Sequence, residues 1–373
     1  MSIHEVTTST AARRSRLREI LRERELDALL VTDLLNIRYL TGFTGSNAAL
    51  IVSVSDVLGS EDRTVIATDG RYLVQVGEQV PDLRAEITRA CAPELLELAT
   101  AWGAGRLGFE SHVVTVDQHA AWRDRVVPGI DLVRSPGIVE QLREVKDEGE
   151  IELLRRACAA ADDALATLVE RGGLRPGRTE REVARELEWL MFEHGADGIS
   201  FETIVAAGPN SAVPHHRPTG AVLSSGDFVK LDFGAQIGGY HSDMTRTYVL
   251  ERAADWQRDV YDLVARAQAA GRAALTPGAA VGSVDAAARS VIEDAGHGEK
   301  FLHGLGHGVG LEIHEAPGIG KLGTGTLLGG AVVTVEPGVY FSGRGGVRIE
   351  DTLVVREQGP ELLTLTSKDL AIV

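Results

Sequence analysis

The chain has 373 residues, 44% of them hydrophobic and 25% charged, with a net charge of −16. Such proportions are ordinary for a globular protein, and the length suffices for two domains with a large core. The acidic balance argues against a nucleic-acid or anionic-membrane surface.

The first ten residues read as disordered, and Arg13 to Leu26 as an amphipathic helix with Leu17, Ile20 and Leu21 on one side. This N-terminal stretch has no uninterrupted apolar segment and no cleavage-like site, and no run of membrane-spanning length follows. A cytoplasmic location is the expectation. ALLVTD at 28–33 reads as a buried strand, and NIRYLTGFTGSNAALIVS as turn-rich, ending in a second strand. TVIATDGRYLVQVGEQV gives strand, turn and helix, RLGFES a strand and VDQHAAWRDRV a helix. Strand and helix alternate, so an α/β domain is expected. Cys91 and Cys158 form neither a metal-type spacing nor a disulfide framework. Cys158 falls in a helical pattern and reads as a buried thiol.

Ser135-Pro136-Gly137 breaks the alternation, which places the boundary at about 135–145 and the domains at 1–137 and 138–373. A long helix opens near Asp147, with Glu150 as its capping-box partner. The second domain then repeats itself. GGLRPGRTEREVARELEWLMFEHGAD and AALTPGAAVGSVDAAARSVIEDAGHG share Leu-x-Pro-Gly, a helix and a terminal glycine. FVKLDFGAQIGGYHSDMTRTYVL is answered by VVTVEPGVYFSGRGGVRIEDTLVV, so Asp232 matches Glu336 and Asp243 matches Glu350.

Strand alternation puts Lys230 and Asp232 on one face, and Asp243, Thr245 and Thr247 on one face of the return strand. Two carboxylates about 5 Å apart repel by roughly 3 kcal/mol at an effective dielectric near 20, so such a pair needs a proton or a cation. Either hairpin alone could simply expose its acids to solvent. Two equivalent hairpins, with the histidine-rich FLHGLGHGVGLEIHE between them, suggest a dinuclear metal site. An oxygen-dominated donor set with one imidazole suits Mn²⁺ or Co²⁺, with Zn²⁺ or Fe²⁺ as further candidates. Two metals roughly 3.5–4 Å apart can share a hydroxide and orient a hydrolytic attack.

The residues LDFG, HSDMTRT, GLGHGVG, VEPG and GVRIED, in that order, resemble the pita-bread metallopeptidases, which include methionine aminopeptidase, Xaa-Pro aminopeptidase and prolidase. NIRYLTGFTGSNA and ATDGRY resemble the creatinase-type N-terminal domain. The resemblance implies an α/β N-terminal domain followed by an α+β pita-bread domain with a pseudo-two-fold internal repeat. It implies Asp232, Asp243, His307, Glu336 and Glu350 as ligands of two metal ions. It also implies His215 and His314 as catalytic and substrate-facing, and His303 as part of the leaving-group pocket. Glu336 reads as the proton shuttle, since a ligand carboxylate beside the nucleophile can accept its proton. His216 reads as exposed. Arg348 shares a face with Glu350, within reach of a substrate carbonyl or of the ligands themselves.

An Xaa-Pro aminopeptidase acting on short proline-containing peptides is therefore expected, with Xaa-Pro dipeptidase as the alternative. A metal-free creatinase-like hydrolase and an inactive binding protein are more remote. The choice of aminopeptidase rests on a missing cation. A dipeptidase must capture a free carboxylate, and Glu315 to Val335 holds no arginine and one lysine, Lys321. The resemblance further implies a homodimer, and no nucleic-acid or membrane partner is expected.

Overall fold

The structure, a computed structural model, describes residues 3–57, 61–125 and 129–373. The chain divides into two compact units, Met1–Arg143 and Glu144–Val373.

In the first unit the strands are β1 (Ala28–Val31), β2 (Ala48–Ser53), β3 (Val65–Thr68), β4 (Arg84–Ile87), β5 (Arg106–Phe109) and β6 (Asp131–Arg134). They form one mixed sheet in the order β4-β3-β2-β1-β5-β6. Every residue of β1, β2 and β3 is buried, as continuous apolar runs in a covered sheet should be. Helices α1 (Ile3–Glu23), α2 (Leu34–Thr41), α3 (Leu73–Gln79), α4 (Cys91–Ala101), α5 (Val116–Arg123) and α6 (Ile138–Arg143) complete it. Two expectations are corrected. The first helix begins at Ile3, so residues 3–10 are helical rather than disordered; residues 1–2 lie outside the described residues. The segment read as turn-rich opens with α2, whose N-cap Asp33 accepts hydrogen bonds from Leu35 N and Asn36 N. The division falls after Arg143, because α6 packs on α1 and α2 and Arg143 donates to Asn36.

The second unit opens with α7 (Glu148–Glu170), capped by Asp147 and Glu150 in the expected capping box. Then come α8 (Glu180–Glu193), β7 (Gly198–Ile199), β8 (Ile204–Ala207), β9 (Phe228–Phe233), β10 (Ala235–Ile237), β11 (Tyr240–His241) and β12 (Met244–Val249). The second half has α9 (Asp255–Ala273), α10 (Val281–Asp294), β13 (Gly306–Gly308), β14 (Glu315–Ile319), β15 (Val332–Val335), β16 (Gly338–Phe341), β17 (Gly345–Arg348), β18 (Asp351–Val354) and β19 (Glu361–Leu362). Helices α7 and α8 pack over the β12-β9-β8 sheet, and α9 and α10 over β14-β13-β15-β18-β19. Each half thus has its own helix pair, sheet and apolar cluster, as the sequence repeat predicts. Cys158 is fully buried in α7.

The halves are stitched along their return strands. Glu350 N donates to Thr245 O (3.1 Å) and Thr352 Oγ1 to Asp243 O (2.7 Å). Those cross-bonds bring the acids of the two hairpins together.

Candidate metal centre

Asp232 lies in β9 and Asp243 immediately before its partner β12; Glu336 follows β15 and Glu350 precedes its partner β18. His307 comes from β13, which β15 flanks on one side and β14 on the other. The glycines around it are required by that close packing. A Cβ on Gly306 would sit 2.0 Å from Thr334 O, and one on Gly308 2.1 Å from Ala316 O. The backbone can therefore press between two strands while His307 reaches the acids.

One donor atom each from Asp243, His307 and Glu350 lie within 4.8 Å of one another. His307 Nε2 stands 3.5 Å from Asp243 Oδ2 and 3.6 Å from Glu336 Oε1. Its Nδ1 is 3.0 Å from Gly308 O, an arrangement that assigns the proton to Nδ1 and turns the Nε2 lone pair toward the carboxylates. A lone pair facing anions is repulsive unless a cation or proton lies between them. Asp232 Oδ1 is buried without a hydrogen-bond partner. Burial, reinforced by the neighbouring carboxylates, pushes Asp243 and Glu350 well above the usual carboxyl range. Burial likewise moves Glu336 up to about 8, against the opposing charge of Arg348, and lowers His307 to about 4. An orphaned oxygen, a neutral imidazole and crowded carboxyls are what a site for divalent cations requires.

Behind the acids sits Arg348, 2% exposed. It ion-pairs with Asp232, donates Nε to Thr245 Oγ1 (2.9 Å) and donates Nη1 to Tyr340 Oη (3.0 Å) and Pro214 O (3.2 Å). Thr245 in turn donates to Glu350 Oε2 (2.6 Å). With its donors occupied this way, Arg348 supports the acids and does not line the cavity, which corrects its expected contact with substrate. His303 is also placed differently. Its Nε2 is 2.9 Å from Tyr340 Oη, and it lines a separate cleft beside Lys321 and Leu322. Burial lowers it to about 4.

The four acids and His307 floor a cavity of about 270 Å³. His215 and His314 stand on its walls with Phe201, Ile204 and Ile313. The His314 and His307 rings are 4.4 Å apart, and burial lowers the His314 pKa. At the mouth Arg217 Nε lies 3.2 Å from Glu202 Oε2, both side chains being largely exposed. His216 is not the exposed residue that the sequence suggested. Its Nε2 is 2.8 Å from Oε2 of the fully buried Glu180. Sequence reasoning missed Arg217 and Glu180 altogether. The basic residue directly after the two histidines was the available signal.

Residues 152–357, more than half of the chain, match metallopeptidase family M24. The chain belongs to that family. It is therefore a hydrolase of the metallopeptidase class, and residues 13–145 match the creatinase/prolidase N-terminal domain. The fold class expected from the sequence is the one observed. A solved Xaa-Pro dipeptidase from Bacillus anthracis superposes with a TM-score of 0.92 at 36% identity, covering 98% of this chain and 100% of that one. An X-Pro aminopeptidase from Thermotoga maritima gives a TM-score of 0.86 at 32% identity, covering 96% and 99%. An Xaa-Pro dipeptidase of Pyrococcus furiosus is 42% identical over 233 residues, 62% of this chain and 66% of its own length.

Proposed function

We propose that this M24 member is an Xaa-Pro dipeptidase, in place of the aminopeptidase that the sequence led us to expect. The observation that carries the reading is Arg217 at the mouth of a small cavity floored by the acids. The missing cation was sought between Glu315 and Val335, whereas Arg217 lies on another wall. Its ion pair with Glu202 is solvent-exposed and worth about 0–1 kcal/mol, so a substrate carboxylate can replace Glu202 at little cost. Similarity to Xaa-Pro dipeptidases over nearly the whole chain supports the same choice.

In this reading Asp232, Asp243, His307, Glu336 and Glu350 hold two divalent ions, with Mn²⁺ or Co²⁺ favoured by the oxygen-rich donor set. Bound there, the ions supply Lewis acidity and a water of lowered pKa. With the ions bound, Glu336 would give up its own proton and, as a carboxylate, would accept that of the attacking water and pass it to the proline nitrogen. His215 and His314, on the cavity wall, hydrogen-bond the carbonyl as charge develops on it. Arg217 holds the free carboxylate. We also carry forward a homodimer and a cytoplasmic location from the sequence; among the described residues no helix is long and apolar enough to cross a membrane.

The test is hydrolysis of matched Xaa-Pro dipeptides and Xaa-Pro-Xaa tripeptides by metal-free protein titrated with Mn²⁺, Co²⁺ and Zn²⁺. The dipeptides should be cleaved and the tripeptides spared. Tripeptide cleavage at comparable efficiency would return the aminopeptidase.

A further inference from the structure

Glu180 is the first residue of α8, far in sequence from the acids, and its side chain is fully buried. Its Oε1 accepts from Ala207 N (2.9 Å) and Asn210 Nδ2 (2.9 Å). Its Oε2 accepts from Thr219 N (3.0 Å) and Thr219 Oγ1 (2.7 Å), and lies 2.8 Å from His216 Nε2. A buried carboxylate without a counter-ion is costly, yet these donors more than offset burial and hold its pKa below the usual value. Nothing in the proposed chemistry uses this carboxylate.

The partners of Glu180 flank the segment that carries His215 and Arg217. The other end of that segment is held by a buried amine. Lys230 Nζ, on β9, donates to Val213 O (2.7 Å) and Pro214 O (3.1 Å), and Lys230 is fully buried. Pro214 O also accepts from Arg348. The carbonyls of 213–214 are therefore held by Lys230 and Arg348, and the side chains of 216 and 219 are gripped by Glu180. His215 and Arg217, between and beside those holds, line the cavity with side chains that neither hold engages.

We propose that Glu180 and His216 form a positioning pair that, with Lys230, sets His215 and Arg217 against the substrate. His216 borders the cavity, but its Nε2 is engaged by Glu180 and does not act on the peptide. The role assigned to Arg217 rests on the dipeptidase reading; the hold on the segment does not.

The experiment compares His216→Ala and His216→Gln with the unaltered enzyme, measuring kcat and KM on an Xaa-Pro dipeptide, bound metal and melting temperature. A hydrogen bond to a charged acceptor is lost in the alanine variant, so KM should rise about tenfold or more while bound metal stays unchanged. The glutamine amide can still donate to Glu180 and should restore most of the loss. An imidazole acting directly on substrate would not be replaced by glutamine, so His216→Gln performing no better than His216→Ala overturns the proposal. An unchanged KM in His216→Ala overturns it as well. If the alanine variant does not fold, His216→Leu keeps the volume and tests the same bond. Failure of the dipeptidase reading shows separately, as unaltered enzyme that cleaves tripeptides, and the variants are then assayed on those.

Discussion

Asp232 stands opposite Thr245 in the β9–β12 ladder, not opposite Asp243. In the second half Thr334 pairs with Thr352 and Val335 with Asp351, which sets Glu336 level with Glu350. The two halves thus differ in register by an even step, and an even step keeps side chains on the same face. The acids still converge, and the place opposite Asp232 goes to a hydroxyl that links Glu350 to Arg348. Thr245→Val removes that link and strands a donor of Arg348 and an acceptor of Glu350. Metal affinity should fall about 10–100-fold, as for other groups that orient ligands, while Thr245→Ser retains it. Titration of metal into metal-free protein measures this. Equal affinities for valine and serine would remove Thr245 from the support of the site.

Asp243 is near both His307 and Glu350, and its backbone carbonyl joins the two halves. Asp243→Ala keeps that carbonyl and deletes only the carboxylate. Metal binding and peptide hydrolysis should therefore disappear together in a folded protein. Turnover retained by this variant would exclude the metal mechanism.

The crowded acids also fix the sign of a pH effect. Glu336 is near 8 in the metal-free fold, against about 4.3 in an unfolded chain. Between those values the folded state binds the extra proton, so these acids stabilise metal-free protein as pH falls from 8 toward 6.5, below which His303 and His307, held near 4, oppose them. Asp243 and Glu350 are raised as well and push in the same direction. Bound metal replaces those protons, so its stabilisation should grow with pH over the same window. Thermal melts at pH 6.5 and pH 8, with and without Mn²⁺, read both slopes. Metal-free protein that melts higher at pH 8 would contradict the assignment.

The convergence of the four acids was legible in the sequence because each lies in or at the end of a strand, and because the second hairpin repeats the first. Lys230 and Asp232 share a face by alternation alone, and both are buried where that alternation puts them. What could not be read came from contacts distant in sequence. Arg348 shares a face with Glu350, yet only tertiary packing brings Asp232, Tyr340 and Pro214 to its guanidinium. His215 and His216 are adjacent and chemically identical, and only Glu180, from α8, decides which is engaged in the scaffold. The turn residues of NIRYLTGFTG masked α2, because an Asp33 cap and a left-handed Gly42 bound a helix whose interior is short.

Arg217 offers the sharpest separation of dipeptidase from aminopeptidase. Its present partner Glu202 is exposed, so removing the arginine should disturb the fold little. A substrate carboxylate drawn into the cavity loses water, and its hydrogen bond to a guanidinium is worth about 1.5–3 kcal/mol. Arg217→Met should therefore lower kcat/KM for an Xaa-Pro dipeptide by about 10–100-fold. The C-terminal amide of the same dipeptide has no charge to lose and should be hydrolysed at an unchanged rate. Arg217→Lys keeps the charge without the planar fork and should fall between the two. Steady-state kinetics on the acid and amide pair checks this directly. If both substrates decline equally in Arg217→Met, the arginine shapes the cavity instead of reading the carboxylate.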